Sequence, residues 1–173
     1  MSANPAMSFR QAASSVAFKQ GMRALAGAVC VVVADGPEGE PLGLTATAVT
    51  SLSADPPSLL VCVNRSASIA SALAPKASFT VNVLSANQQD VAQAFGGQRV
   101  AKGVARFAFG GWVRAKSEAL LLSGANVAFE CTVAQVSDWA THHIVIGEVV
   151  DVHLANPQHP ALIYHDGHYK SLG

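Results

Sequence analysis

Unbroken runs of β-branched and small apolar residues, and shorter stretches that alternate with polar ones, dominate this chain. Helical spacing is confined to a few short segments. From Ser14 to Leu25 the apolar residues Val16, Ala17, Met22 and Leu25 recur at helical spacing. Ser14 or Ser15 is placed to cap the start, and Gly27 punctuates the end. Ala28 to Ala34 reads as a buried strand. The turn-forming segment Asp35–Pro41 (DGPEGEP) closes a hairpin. Strands are predicted over Leu44–Ser53 and Leu59–Asn64, divided by Asp55-Pro56-Pro57. A short helix fits Ser68–Leu73, a strand fits Ala77–Leu84, and a helix fits Gln88–Phe95, stopped by Gly96-Gly97. A looser stretch runs from Gln98 to Glu118. Long strands follow at Ala125–Ser137, His142–Val152 and Ala161–Leu172, with Thr132, Ala134 and Val136 alternating against Val133 and Gln135.

Closely spaced strands, few helices and many Gly/Pro turns predict a mainly β fold, an antiparallel barrel with peripheral helices rather than a doubly wound sheet. Neither GxGxxG after a strand nor GxxxxGK[ST] occurs, so the two common phosphate-binding loops are missing from the sequence. Residues 1–13 read as a flexible tail ahead of one domain over 14–173.

Composition narrows the classes of function. Of 173 residues 50% are hydrophobic and 13% charged, with a formal net charge of zero and no Lys/Arg cluster. Nothing here predicts binding to nucleic acid or to an anionic membrane. So little charge fits a protein that hides surface in an oligomer, and a homodimer is expected. Cys30, Cys62 and Cys131 each lie in an apolar run, with an odd count and no CxxC, and read as buried structural thiols without a disulfide framework or zinc site. The first residues lack a signal-peptide core, and no run is long enough to span a bilayer, so the cytoplasm is the expected compartment.

The most informative stretch is GLTATAVTSLSADPPSLLVCVNRSAS, Gly43 to Ser68. On a strand Thr45, Thr47 and Val49 share one face, and Ala46, Ala48 and Thr50 share the other. Small and hydroxyl side chains leave backbone donors and acceptors open to a flat heteroaromatic ring. An edge strand with threonine serving β-propensity explains the same residues. Asn64-Arg65-Ser66-Ala67-Ser68 leaves a strand and enters a predicted helix, where hydroxyls and free N–H groups suit an anion. A plain serine N-cap is the alternative.

The Gly43–Ser68 string resembles the signature of the short-chain flavin reductases, the family that includes the reductase components of two-component aromatic monooxygenases. FKQGMRALAGAVCVVVADGPEGEPLG upstream is similar to the family's opening. FTVNVLSANQQDVAQAFGG, RFAFGGW, FECTVAQV, HHIVIGEV and LIYHDGHYKSL follow in the family's order, so the resemblance covers Phe18 to Leu172. It implies a split β-barrel, a homodimer, FMN or FAD near the subunit interface, and NADH or NADPH as the reductant. Carried over by position, Thr45, Ala46, Thr47 and Ala48 contact the isoalloxazine and ribityl chain, and Ser51 and Leu52 continue the strip. Cys62, Val63, Asn64, Ser66, Ser68 and Ile69 hold the ribityl chain and phosphate. Arg106 and Phe107 match a basic-aromatic pair, and Tyr169 matches an aromatic position near the active site. His142 falls on the family histidine beside the nicotinamide, with Thr141 where the common pattern has Asp.

Hydride transfer between the two cofactors needs no strong acid or base from the protein, which accords with the lack of a visible triad or carboxylate pair. The implied activity is nicotinamide-dependent flavin reduction, supplying reduced flavin to a partner monooxygenase. A flavin carrier or sensor, or an oxidase holding FMN permanently, are the alternatives. No metal site is expected: His142 and His143 diverge on a strand, and the turn HDGHY explains His165, Asp166 and His168.

Overall fold

The computed structural model of the chain describes residues 14–155, 157 and 159–173. The tail expected over 1–13 lies outside the described residues. Helix α1 (Ser15–Met22) starts where predicted, with Ser14 Oγ accepting from the Ala17 N–H at 3.2 Å. None of its residues is buried. Its apolar side chains face a surface cleft rather than the core.

The strands are β1 (Gly27–Ala28), β2 (Cys30–Asp35), β3 (Pro41–Ala46), β4 (Val49–Ala54), β5 (Pro57–Asn64), β6 (Ser78–Val83), β7 (Trp112–Arg114), β8 (Leu120–Leu122), β9 (Val127–Trp139), β10 (His142–Leu154), β11 (Ala161–His165) and β12 (His168–Leu172). Seven of them form one antiparallel sheet in the order β3-β2-β6-β9-β10-β5-β4. Its two edge strands, β3 and β4, are joined by Thr47-Ala48 alone. Ala46 and Val49 can be at most about 11 Å apart across that link, so the sheet curls until its edges meet. The result is a barrel split between β3 and β4. The strand predicted over Leu44–Ser53 is therefore two strands, broken where the chain steps across the split.

Two apolar layers sit on either side of β2. Val32, Val61, Val63, Val81, Val133 and Val145 point into the barrel. Val29, Val31 and Val33 point outward, under Leu122, Leu162 and helix α2 (Gln89–Phe95). Both faces of β2 are covered, which is why Ala28–Ala34 carries no polar alternation. Helix α2 presses closely on β3. A Cβ on Gly43 would fall 2.7 Å from the Phe95 ring, and the Thr45 hydroxyl donates to the Ala92 carbonyl at 2.7 Å. Gln98–Glu118, featureless in sequence, contains a 3₁₀ turn (Gly103–Ala108) and strand β7 of the β7–β8 hairpin. The Ala161–Leu172 strand is a hairpin turning at Asp166-Gly167. No described helix is long and apolar enough to cross a membrane.

Candidate active site

Thr47 and Ala48 sit at the centre of the site because they belong to neither edge strand. The Ala48 carbonyl accepts from the Cys62 N–H at 3.0 Å, which ties the link to β5. The N–H groups of Thr47 and Ala48 make no hydrogen bond among the described residues. They are donors left open at the barrel surface. A cleft of about 470 Å³ lies against them, walled by Phe18, Met22 and Leu25 near α1 and by Tyr164. An adjoining cavity of about 190 Å³ shares Thr47 and Tyr164 and adds Thr45, Gly96, Gln98 and Tyr169. Arg23 closes the far side: its guanidinium meets the Asp166 carboxylate at 3.1 Å and holds that carboxyl below its usual range. Burial and the neighbouring Tyr164 push the Tyr169 phenol up. The two rings meet edge to face at 5.1 Å.

On the other side of the link the outward-facing residues line up across strands. Ala48 is bonded to Cys62, Cys62 pairs with Ile144, and Asn64 pairs with His142. His142, Ile144 and Ile146 share the outer face, alternating with the interior Val145. The His142 Nδ1 lies 2.9 Å from the Thr141 hydroxyl, so threonine is its partner in place of a carboxylate. His143, on the opposite side, has the carboxylate: its Nδ1 meets Asp138 Oδ1 at 2.5 Å. In the Asn64–Ser68 loop, the Asn64 Oδ1 accepts from the Ser66 N–H and from the Ser66 hydroxyl at 2.8 Å. The Ser68 hydroxyl makes no such internal bond.

The other expected contacts separate. Ala46, Val63 and Ile69 are buried in the barrel interior, Val63 and Ile69 completely, so their side chains do not line the cleft. Ser51 lines a different, apolar groove of about 350 Å³ between β4 and the ends of β6, β9 and β10, and Leu52 is 51% exposed beyond it. Arg106 reaches the Gly43 carbonyl at 3.5 Å, and Phe107 packs edge-on against Phe95 at 4.9 Å, behind α2. Sequence reasoning missed Phe18, Met22 and Tyr164. The only signal was an apolar helix face with no core to join.

His165, Asp166 and His168 are each engaged locally, by Lys170, Arg23 and a backbone carbonyl. Among the described residues, Glu130, Asp151 and His153 do bring ligand-type atoms within 4.8 Å of one another. A bulge between Val149 and Asp151 turns Asp151 onto the Glu130 face, which strand alternation does not reveal. His153 Nε2 at 2.5 Å and the Ser117 hydroxyl already occupy the two Glu130 oxygens.

The thiols report the barrel's inside and outside. Burial pushes Cys30 and Cys131 up to about 12, whereas Cys62, expected to be buried with them, is half-buried on the outer face because it alternates with the interior Val61 and Val63. A neutral thiol reagent at pH 8 is expected to modify one thiol per folded chain and three after denaturation. Rapid modification of two or three in the folded protein would contradict this sidedness.

The fold and this cleft place the chain in a known class: it belongs to the flavin reductase like domain family, whose model matches residues 22–173. The chain is 41% identical over 172 residues to the FMN reductase (NADH) RutF of Pseudomonas syringae pv. syringae, covering 99% of this chain and 94% of that one. The flavin reductase component of a bacterial two-component tryptophan halogenase, BorF, superposes with a TM-score of 0.82 at 32% identity, over 92% of this chain and 98% of that chain. The NADH:FAD oxidoreductase SgcE6 of Streptomyces globisporus, solved with NAD and FAD fragments, gives 0.81 at 28% identity, over 91% and 92%.

Proposed function

We propose that this protein is an NADH-dependent flavin reductase whose reduced flavin leaves to supply a separate monooxygenase. The observation that carries the reading is the pair of free N–H donors at Thr47 and Ala48, facing a cleft with apolar and aromatic walls. A flavin fits that donor set: its ring edge bears carbonyl and nitrogen acceptors, and its faces are apolar. The bound flavin and nicotinamide supply the hydride chemistry themselves. The chain's own residues bind, orient and dry the site. Thr47 and Ala48 N–H groups stabilise negative charge at the ring edge that they face. Phe18, Met22 and Tyr164 exclude water from one side. Cys62 and Asn64 continue the floor toward the Ser68 hydroxyl and Arg65, which hold a phosphate. His142 positions the nicotinamide through hydrogen bonding or stacking, fixed by Thr141, with no proton to transfer.

We infer further that the protein works as a homodimer. Leu52, Val150, Val152 and Leu154 are exposed around the apolar groove beside β4, and a second copy would cover them. A monomer at all concentrations in sedimentation would refute this.

Steady-state NADH oxidation with added FMN or FAD tests the enzyme reading. Turnover should depend on added flavin, and no oxidation with either flavin would favour a carrier. His142→Ala is expected to lose about 1–2 kcal/mol in kcat/KM, the order of one hydrogen bond, mainly through a higher KM for NADH. His143→Ala, on the opposite face, should leave that KM unchanged.

A further inference from the structure

We propose that Arg23 is a positioning residue for flavin binding: it clamps helix α1 to the β11–β12 turn and so holds Phe18 and Met22 as a wall of the cleft. The inference rests on reading that cleft as the flavin site. Helix α1 needs such a device, because none of its residues is buried. Phe18 is 67% exposed and Met22 46%, yet both line the cleft. Their place depends on where the helix is tethered, since no core beneath it holds them. A wall fixed in advance spares the flavin the cost of ordering it on binding.

Both tethers lie on one hairpin. Beyond the helix the chain re-enters a sheet at Gly27, which pairs with Tyr164 on β11. The second tether is Asp166, two residues further along that hairpin. Asp166-Gly167 is a two-residue loop with φ of +50° and +79°, the left-handed pair that aspartate and glycine favour. The Asp166 N–H donates to the Arg23 carbonyl at 2.9 Å. The Arg23 guanidinium donates in return, from Nε to Asp166 Oδ1 and from Nη2 to the Asp166 carbonyl, each at 3.1 Å. Gly167 leaves the guanidinium its room, for a Cβ there would fall 2.5 Å from Nη2. Two attachment points fix the direction of the helix, where one alone would leave a hinge over residues 24–26. Only the planar fork of arginine reaches carboxylate and carbonyl together.

Riboflavin carries the flavin ring without a phosphate, so it separates a positioned wall from a direct anion contact. Arg23→Ala should raise KM for FMN and for riboflavin alike, by about 5-fold, with kcat at saturating flavin near native. Arg23→Lys, which keeps the ion pair, should recover part of that loss. Hydrogen exchange of the α1 amides should quicken in Arg23→Ala while the barrel strands stay protected, and the denaturation midpoint should not move. A loss confined to FMN would make Arg23 a phosphate ligand and overturn the positioning role. Native KM for both flavins, or unchanged exchange in α1, would overturn it too. Thr47→Trp separates this failure from that of the cleft reading. If it blocks riboflavin binding and Arg23→Ala does not weaken it, the cleft stands and the clamp falls; if both variants bind riboflavin normally, both readings fall.

Discussion

Gly147→Ala is expected to destabilise the barrel by about 1–3 kcal/mol in chemical denaturation, the usual cost of overpacking a filled core. A Cβ at that position would fall 2.4 Å from Phe79 Cζ, 2.8 Å from Phe79 Cε1 and 3.2 Å from Cys131 Cβ. Phe79 is 2% exposed and fills the interior that β10 would otherwise have to close, so its ring has little freedom to retreat. Phe79→Ala should cost more, about 3–5 kcal/mol, by leaving a cavity. The pair makes the argument testable as a cycle. Phe79→Leu removes the ring, so Gly147→Ala added to it should cost much less than in the native background. Additive losses would show that the ring and the glycine do not meet inside the barrel.

Thr47→Trp should abolish most flavin binding while leaving the fold intact. Thr47 lines both cavities of the cleft, and its side chain is exposed. An indole there occupies the space over Ala48 and Tyr164 that the flavin ring needs. The expected loss is on the order of 100-fold in Kd, roughly 3 kcal/mol, read by quenching of flavin fluorescence. Stability should shift by no more than about 0.5 kcal/mol, as for an ordinary surface change. Native flavin affinity in this variant would move the flavin away from the split. NADH oxidation in the same variant should fall with flavin occupancy and recover partly at high flavin concentration.

The sequence by itself determined the strand-dominated class, the inside and outside of most strands, and the row that carries His142. Those features follow from short-range physics. Ala28–Ala34 is apolar without a break because both of its faces are covered, and that burial is legible as composition. His142 falls on the outer face, opposite His143, because side chains alternate along a strand. Resemblance supplied the split barrel and the flavin, which periodicity alone does not distinguish from any other small barrel.

What only the tertiary structure decided depends on contacts between residues far apart in the chain. Thr45–Ala48 reads as continuous strand, yet Thr47 and Ala48 bridge the two edges of the closed sheet and keep free N–H groups for that reason. Helix α1 carries apolar residues at helical spacing, yet none of its residues is buried, and the helix walls the cleft with Phe18 and Met22. Arg106 and Phe107 look like site residues side by side, and packing against Phe95 draws the aromatic ring behind α2. The bulge after Val149 sets Asp151 beside Glu130 by shifting one residue of register, a change with no signature in the hydrophobic pattern. A second bulge, at Ala134, turns both Val133 and Val136 inward, although alternation sets them on opposite faces. Between bulges alternation fixes which face a side chain takes; closure of the sheet fixes what that face meets.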